Sequence, residues 1–167
     1  MRAVRTICVA MFAAAFFSAC STLAPAQLRA QLTDYGIFTT GKDEIRLDPK
    51  TPTGLSRRPS EVRISKQTTQ IPLSMGTRFG VCYVVDGLEP NTPFDLRKTV
   101  VHPKLTRPDG SVSTSFSALR RGRAHSSRIE GCEGYGFDHP FEMVAGVWRI
   151  SISIEGQELV SQDFEVR

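Results

Sequence analysis

The stretch Trp148-Arg149-Ile150-Ser151-Ile152-Ser153-Ile154-Glu155-Gly156-Gln157 decides the fold class. Trp148, Ile150, Ile152 and Ile154 alternate with Arg149, Ser151 and Ser153, the period of two that sets one apolar row on one face of a strand. Glu155-Gly156-Gln157 then turns the chain, and Val160, Phe164 and Val166 return on a single face. The expectation is a hairpin with one buried and one wetted side. Trp148 shares its phase with three isoleucines, so it is expected in the core rather than on a ligand-stacking surface.

The same period recurs upstream. Phe79, Val81, Tyr83 and Val85 alternate in a strand that ends at Asp86-Gly87, and Val62 with Ile64 marks another that breaks phase near Ile71-Pro72. A proline there predicts a bulge or a sheet edge. Further strands are predicted at 34–39, 94–101, 112–116 and 134–137, with no amphipathic helix between them. Residues 41–59 carry Pro49, Pro52, Gly54 and Pro59 and read as a long mobile loop, while His102-Pro103 reads as a turn. About seven short strands predict an all-β domain, an immunoglobulin-like antiparallel β-sandwich, over residues 32–167.

The N-terminus sets the compartment. Arg2 and Arg5 precede an uncharged small and apolar run from 7 to 17, the pattern of a secretory signal, and the run is too short to span a bilayer as a helix of about 20 residues. Residues 1–19 are therefore read as a cleaved signal and 20–31 as a tether. Two cleavage readings compete. Phe17-Ser18-Ala19-Cys20 resembles a bacterial lipobox, which would lipidate Cys20 and hold the protein on the periplasmic side of a membrane, the outer membrane being expected. Ala24-Pro25-Ala26 offers the pattern of ordinary signal peptidase, with release of a soluble protein after Ala26. Lipidation is favoured.

Cysteine usage agrees with export. Cys8 falls in the signal and Cys20 is lipidated or discarded, which leaves Cys82 and Cys132, the number that one disulfide needs. Neither belongs to a Cys-x-x-Cys, so a thioredoxin-like role has no support. Removing Arg2 and Arg5 from the formal +4 leaves 19 Lys plus Arg against 17 Asp plus Glu, no global basic footprint and no expectation of nucleic acid.

Asp34-Tyr35-Gly36-Ile37, then Ile71-Pro72 followed by Gly76 and Phe79-Gly80, then Gly146-x-Trp148 with Phe164-x-Val166, resemble in order and spacing a family of exported bacterial domains of unknown function, numbered 3859. The resemblance implies a β-sandwich and no known activity. It supplies no catalytic residues.

Chemistry-bearing patterns are sparse. No Gly-x-Ser-x-Gly, His-Glu-x-x-His, P-loop or Rossmann fingerprint occurs, and His102, His125 and His139 are the three histidines. Glu130, Glu133, Asp138 and His139 surround Cys132 with metal-ligating types but at no established spacing, so no metal or other cofactor is expected. Gly131, Gly134 and Gly136 lack the strand-then-helix context of a phosphate loop and read as tight bends flanking a disulfide. Arg120, Arg121, Arg123, His125 and Arg128 fall in one stretch, read as a loop. Outside the cytoplasm such a loop suits lipid headgroups or acidic glycans, with a solvated loop of no special affinity as the competing reading. The absence of a catalytic signature favours a binding or structural module that engages an envelope protein, glycan or lipid headgroup. The alternative is a small periplasmic hydrolase or metal-dependent enzyme.

Overall fold

The computed structural model describes residues 27–49, 51 and 53–167; the signal at 1–19, Cys20 and the cleavage position at Ala26 lie outside the described residues. Eleven strands follow in chain order: β1 (Arg29–Thr40), β2 (Asp43–Leu47), β3 (Leu55–Pro59), β4 (Val62–Lys66), β5 (Gln70–Ile71), β6 (Arg78–Asp86), β7 (Pro93–Thr106), β8 (Val112–Arg123), β9 (Arg128–Gly136), β10 (Gly146–Ile154) and β11 (Gln157–Val166). A single 3-10 turn, Pro140–Glu142, separates β9 from β10. Two sheets form the sandwich, one ordered β4-β1-β6-β9 and one β5-β11-β10-β7-β8, and β2-β3 stands as a separate two-stranded sheet. Among the described residues no helix is long and apolar enough to cross a membrane.

The alternation read from the sequence is the alternation that is buried. Trp148, Ile150, Ile152 and Ile154 are all 0% exposed, facing Phe79, Val81, Tyr83 and Val85 of β6 within one core cluster. Glu155 and Gly156 both take positive φ (50° and 82°), the backbone of a tight two-residue hairpin whose twist matches the strands. The Trp148 ring lies 5.0 Å from Tyr135, 5.5 Å from Phe137 and 6.1 Å from Phe79 between centroids. Its indole N–H donates to the Val144 carbonyl at 3.0 Å, which removes the cost of burying that donor.

Several expectations change. Nine strands build the sandwich, not about seven, because the short edge strand β5 carries too little alternation to be read and the chain crosses between sheets from β4 to β5. The sandwich is not purely antiparallel: β5 runs parallel to β11, with Gln70 opposite Glu165 and Ile71 opposite Val166. Pro72 follows this edge pair, where a missing N–H costs no ladder bond. Residues 41–59 are not a structureless loop but the β2-β3 hairpin, with Ile45 opposite Arg57 and Leu47 opposite Leu55. His102-Pro103 is no turn, since β7 runs through it with an irregular register between Val101 and Leu105 that absorbs the proline. His102 is core, 4% exposed and packed 5.0 Å from the Trp148 ring. β1 opens at Arg29, earlier than the strand read at 34–39, and pairs along β6 from Asp86 back to Phe79.

Candidate functional site

β9 is the last strand of the four-stranded sheet, so one of its sides has no strand neighbour. Its other side pairs with β6 from Arg78↔Gly136 to Asp86↔Arg128. Cys82 and Cys132 stand directly opposite each other in this ladder and are joined by a disulfide. The bond therefore staples two neighbouring strands within one sheet rather than the two sheets to each other. Closing a 50-residue separation stabilises by about 4 kcal/mol in the chain-entropy account.

Gly131, Gly134 and Gly136 are not bends. They lie within β9, and what requires them is close approach: a Cβ on Gly134 would stand 2.3 Å from the Phe79 carbonyl oxygen and 2.5 Å from the Phe38 ring. Gly80, opposite Gly134, is crowded by the same ring at 2.9 Å. Phe38 thus lies flat across two paired glycines, covering backbone that has no side chain of its own.

Beside this strand opens a cleft. Its floor includes the run Cys132 to Gly136 of β9, its aromatic walls are Phe38, Phe116 and Tyr135, and Leu55, Ser56 and Arg57 of β3 close it from the side. Asp138 fixes the hairpin there: its carboxylate accepts from Arg57 Nε at 2.8 Å and pairs with Arg78 at 3.4 Å. At the inner end Lys98, in phase with the core residues Leu96 and Val100, reaches between the sheets. Its ammonium donates to the Gly134 carbonyl at 2.9 Å, pairs with Glu133 at 3.6 Å and stands 5.8 Å from the centre of the Phe116 ring.

Two buried hydroxyls flank these charges. Tyr83 accepts a hydrogen bond from Arg120 at 3.3 Å, and burial, reinforced by the Glu133 charge, pushes its phenol pKa up. The Tyr135 hydroxyl donates to Glu142, and burial followed by the Glu142 charge pushes its pKa up as well. Glu142 is 1% exposed and accepts further bonds from the N–H groups of Asp138 (2.9 Å) and His139 (2.8 Å). Burial raises its pKa while these three donors oppose the rise. The site is thus a set of charges tied to one another. It offers polar contacts that are already oriented, and none of His102, His125 and His139 lines it.

The arginine stretch is not one loop. Arg120, Arg121 and Arg123 belong to β8 and Arg128 opens β9, leaving only 124–127 as the connection, with His125 exposed on it. Period-two alternation turns Arg120 inward to Tyr83 and Glu133, and Arg121 outward to Asp95 at 3.4 Å. Arg123 donates to the Asn91 carbonyl and Arg128 pairs with Asp86 at 3.2 Å. The four guanidiniums are thereby dispersed over two faces and each is held by a local acceptor. The residues suspected around Cys132 are dispersed too: Glu133 pairs with Lys98, Asp138 with the two arginines, His139 stacks on Phe141 at 5.5 Å and Glu130 is exposed. Among the described residues no three such side chains are grouped to hold a metal. The cleft itself was missed by the sequence reading. Its one linear signal was Lys98, a charge in phase with the apolar row Phe94, Leu96 and Val100 of β7.

Residues 27–166 match the family described as "Domain of unknown function (DUF3859)". An immunoglobulin-like protein from Pseudomonas aeruginosa is similar in structure, with a TM-score of 0.60 and 26% identity over 86% of this chain and 99% of that one. A Pseudomonas fluorescens alkylpurine DNA glycosylase bound to abasic-site DNA is a weaker likeness, with a TM-score of 0.42 and 12% identity over 59% of this chain and 28% of that one, too slight to bear on function. Among curated proteins none matches.

Proposed function

We propose, from the premise that this chain belongs to the DUF3859 family of domains of unknown function, that it is a non-catalytic binding module of the bacterial envelope whose partner enters the cleft between β9 and the β2-β3 hairpin. The observation that carries this is the internal pairing of the cleft. Arg57 and Arg78 on Asp138, Lys98 on Glu133 and Tyr135 on Glu142 make a rigid, prearranged surface. General acid–base work requires a titratable group free to reach a substrate, and here the groups are committed to each other while the histidines lie elsewhere. The immunoglobulin-like neighbour and the cross-strand disulfide fit an oxidising compartment.

A photo-crosslinking residue in place of Ser56, which lines the cleft, should capture a partner in intact cells. The same residue in place of Ser153, on the outer side of β10, should not. Equal capture from both positions, or none from Ser56, refutes the reading. Lipidation at Cys20 completes it: Cys20→Ser should release the protein from the membrane fraction, whereas a wild type that is already soluble and begins at Gln27 would place cleavage after Ala26 instead.

A further inference from the structure

We infer that the free edge of β9 receives an extended peptide segment of a partner protein, which adds as a fifth strand to the four-stranded sheet; this rests on the cleft being the binding site. Register decides which backbone groups face out. In an antiparallel ladder a directly opposed pair with Cα atoms about 4.5 Å apart is the non-hydrogen-bonded kind, whose N–H and C=O groups point away from each other, against about 5.5 Å for the bonded kind. Cys82 and Cys132 have a Cα separation of 4.0 Å, so the main-chain groups of Cys132 point away from β6. Every second residue repeats this, which turns Gly134 and Gly136 the same way. The Gly134 carbonyl agrees with this orientation, since it accepts from Lys98 of the facing sheet.

Cys132, Gly134 and Gly136 therefore turn main-chain groups outward at two-residue spacing, the Gly134 carbonyl being already bonded to Lys98, and all three line the cleft. Three consecutive residues of β3, Leu55, Ser56 and Arg57, line the same cleft. Only a polypeptide strand reproduces that spacing of main-chain groups. A glycan or a lipid headgroup carries no such repeat. Gly134 and Gly136 carry no side chain of their own on the outer side of the strand, where Phe38 and Arg78 lie against them. The hairpin adds the specificity. Ile45 and Leu47 share a face with Arg57 and Leu55, yet they are 52% and 87% exposed. That face, which carries the cleft-lining Leu55 and Arg57, favours a segment with apolar residues at alternate positions.

Random decapeptides displayed on phage supply the probe. The best binders of the intact exported protein are synthesised plain and with N-methyl groups on alternate residues in each of the two registers. Methylation of the register that faces β9 should weaken binding at least tenfold while the other register has a smaller effect. The amides of Cys132, Gly134 and Gly136 should become protected from hydrogen exchange when the plain peptide binds. Equal affinities in both methylated registers, or unprotected amides, overturn strand addition; capture at Ser56 then still upholds the cleft as the site. Failure of every displayed peptide also overturns it. A free protein that is already dimeric, with the Gly134 amide protected, assigns the edge to a second copy and overturns it too.

Discussion

Two hairpins of this molecule share one local geometry and differ in what holds them. In β10-β11 the inward row is Trp148, Ile150, Ile152 and Ile154, all without solvent exposure, and the pair is central to a five-stranded sheet. In β2-β3 the apolar residues Ile45 and Leu47 remain in water, no third strand joins among the described residues, and the Arg57–Asp138 pair ties the hairpin to the sandwich. An isolated two-stranded hairpin is marginal in water. The difference teaches that burial makes a strand pair part of the fold, whereas an ion pair at a rim makes it an attached and separable wall.

The largest effect should come from the buried hairpin. Trp148→Ala should cost about 3 to 5 kcal/mol in chemical denaturation, against a total of about 5 to 15 for a domain of this kind. Native tryptophan emission should be blue-shifted and shielded from iodide. A variant that unfolds like the wild type would erase the contrast between the hairpins.

The second expectation is a pH dependence seated in the same interior. His102 packs on Trp148, its Nε2 has no partner, and burial lowers its pKa below the usual 6.5, the Pro103 carbonyl partly opposing. The unfolded chain therefore takes up the proton first as pH falls through about 6.5, and stability contributed by the neutral imidazole is lost from there down to the lowered native value. Glu142 works in the opposite sense. Its raised pKa means that its carboxyl favours the native state at low pH and loses that contribution as pH rises from about 4.5 through the raised value. Comparison isolates the histidine: between pH 7 and pH 5 the melting temperature of His102→Phe should fall less than that of the wild type. Parallel curves would remove His102 as the cause.

The smallest global effect should come from the rim. Asp138→Ala releases Arg57 and Arg78 from their common carboxylate, a part-buried rim contact that should contribute about 1 kcal/mol, well below the tryptophan. Limited proteolysis of the β2-β3 hairpin should nonetheless accelerate severalfold, because one of its contacts with the sandwich is lost without the sandwich unfolding. A melting temperature lowered as much as by Trp148→Ala would show that β2-β3 is part of the cooperative core.

What could be read in advance follows the same division. The all-β class, the C-terminal hairpin, its Glu155-Gly156 turn, the burial of Trp148 and the pairing of Cys82 with Cys132 rest on period, turn chemistry and thiol count, which are properties of short segments or of the chain as a whole. The β2-β3 strands were hidden because Pro49, Pro52, Gly54 and Pro59 dominate a stretch in which Ile45 and Leu47 stay exposed, so no burial pattern marks them. Lys98 looked like an ordinary polar residue among β7 neighbours until its partners, Gly134 and Glu133, arrived from a strand more than thirty positions away. The glycines of β9 looked like bends because composition does not reveal that Phe38 must lie against them.

By itself, then, the sequence determined a β-sandwich with a buried tryptophan and one internal disulfide, since apolar alternation is a property of short segments and the thiol count a property of composition. Tertiary structure alone decided that the arginines disperse, that His102 is interior, and that β9 keeps an open edge beside a cleft. Those outcomes depend on which strands become neighbours and which remain last in their sheet, and strand order is set by the packing of the whole chain rather than by any segment of it.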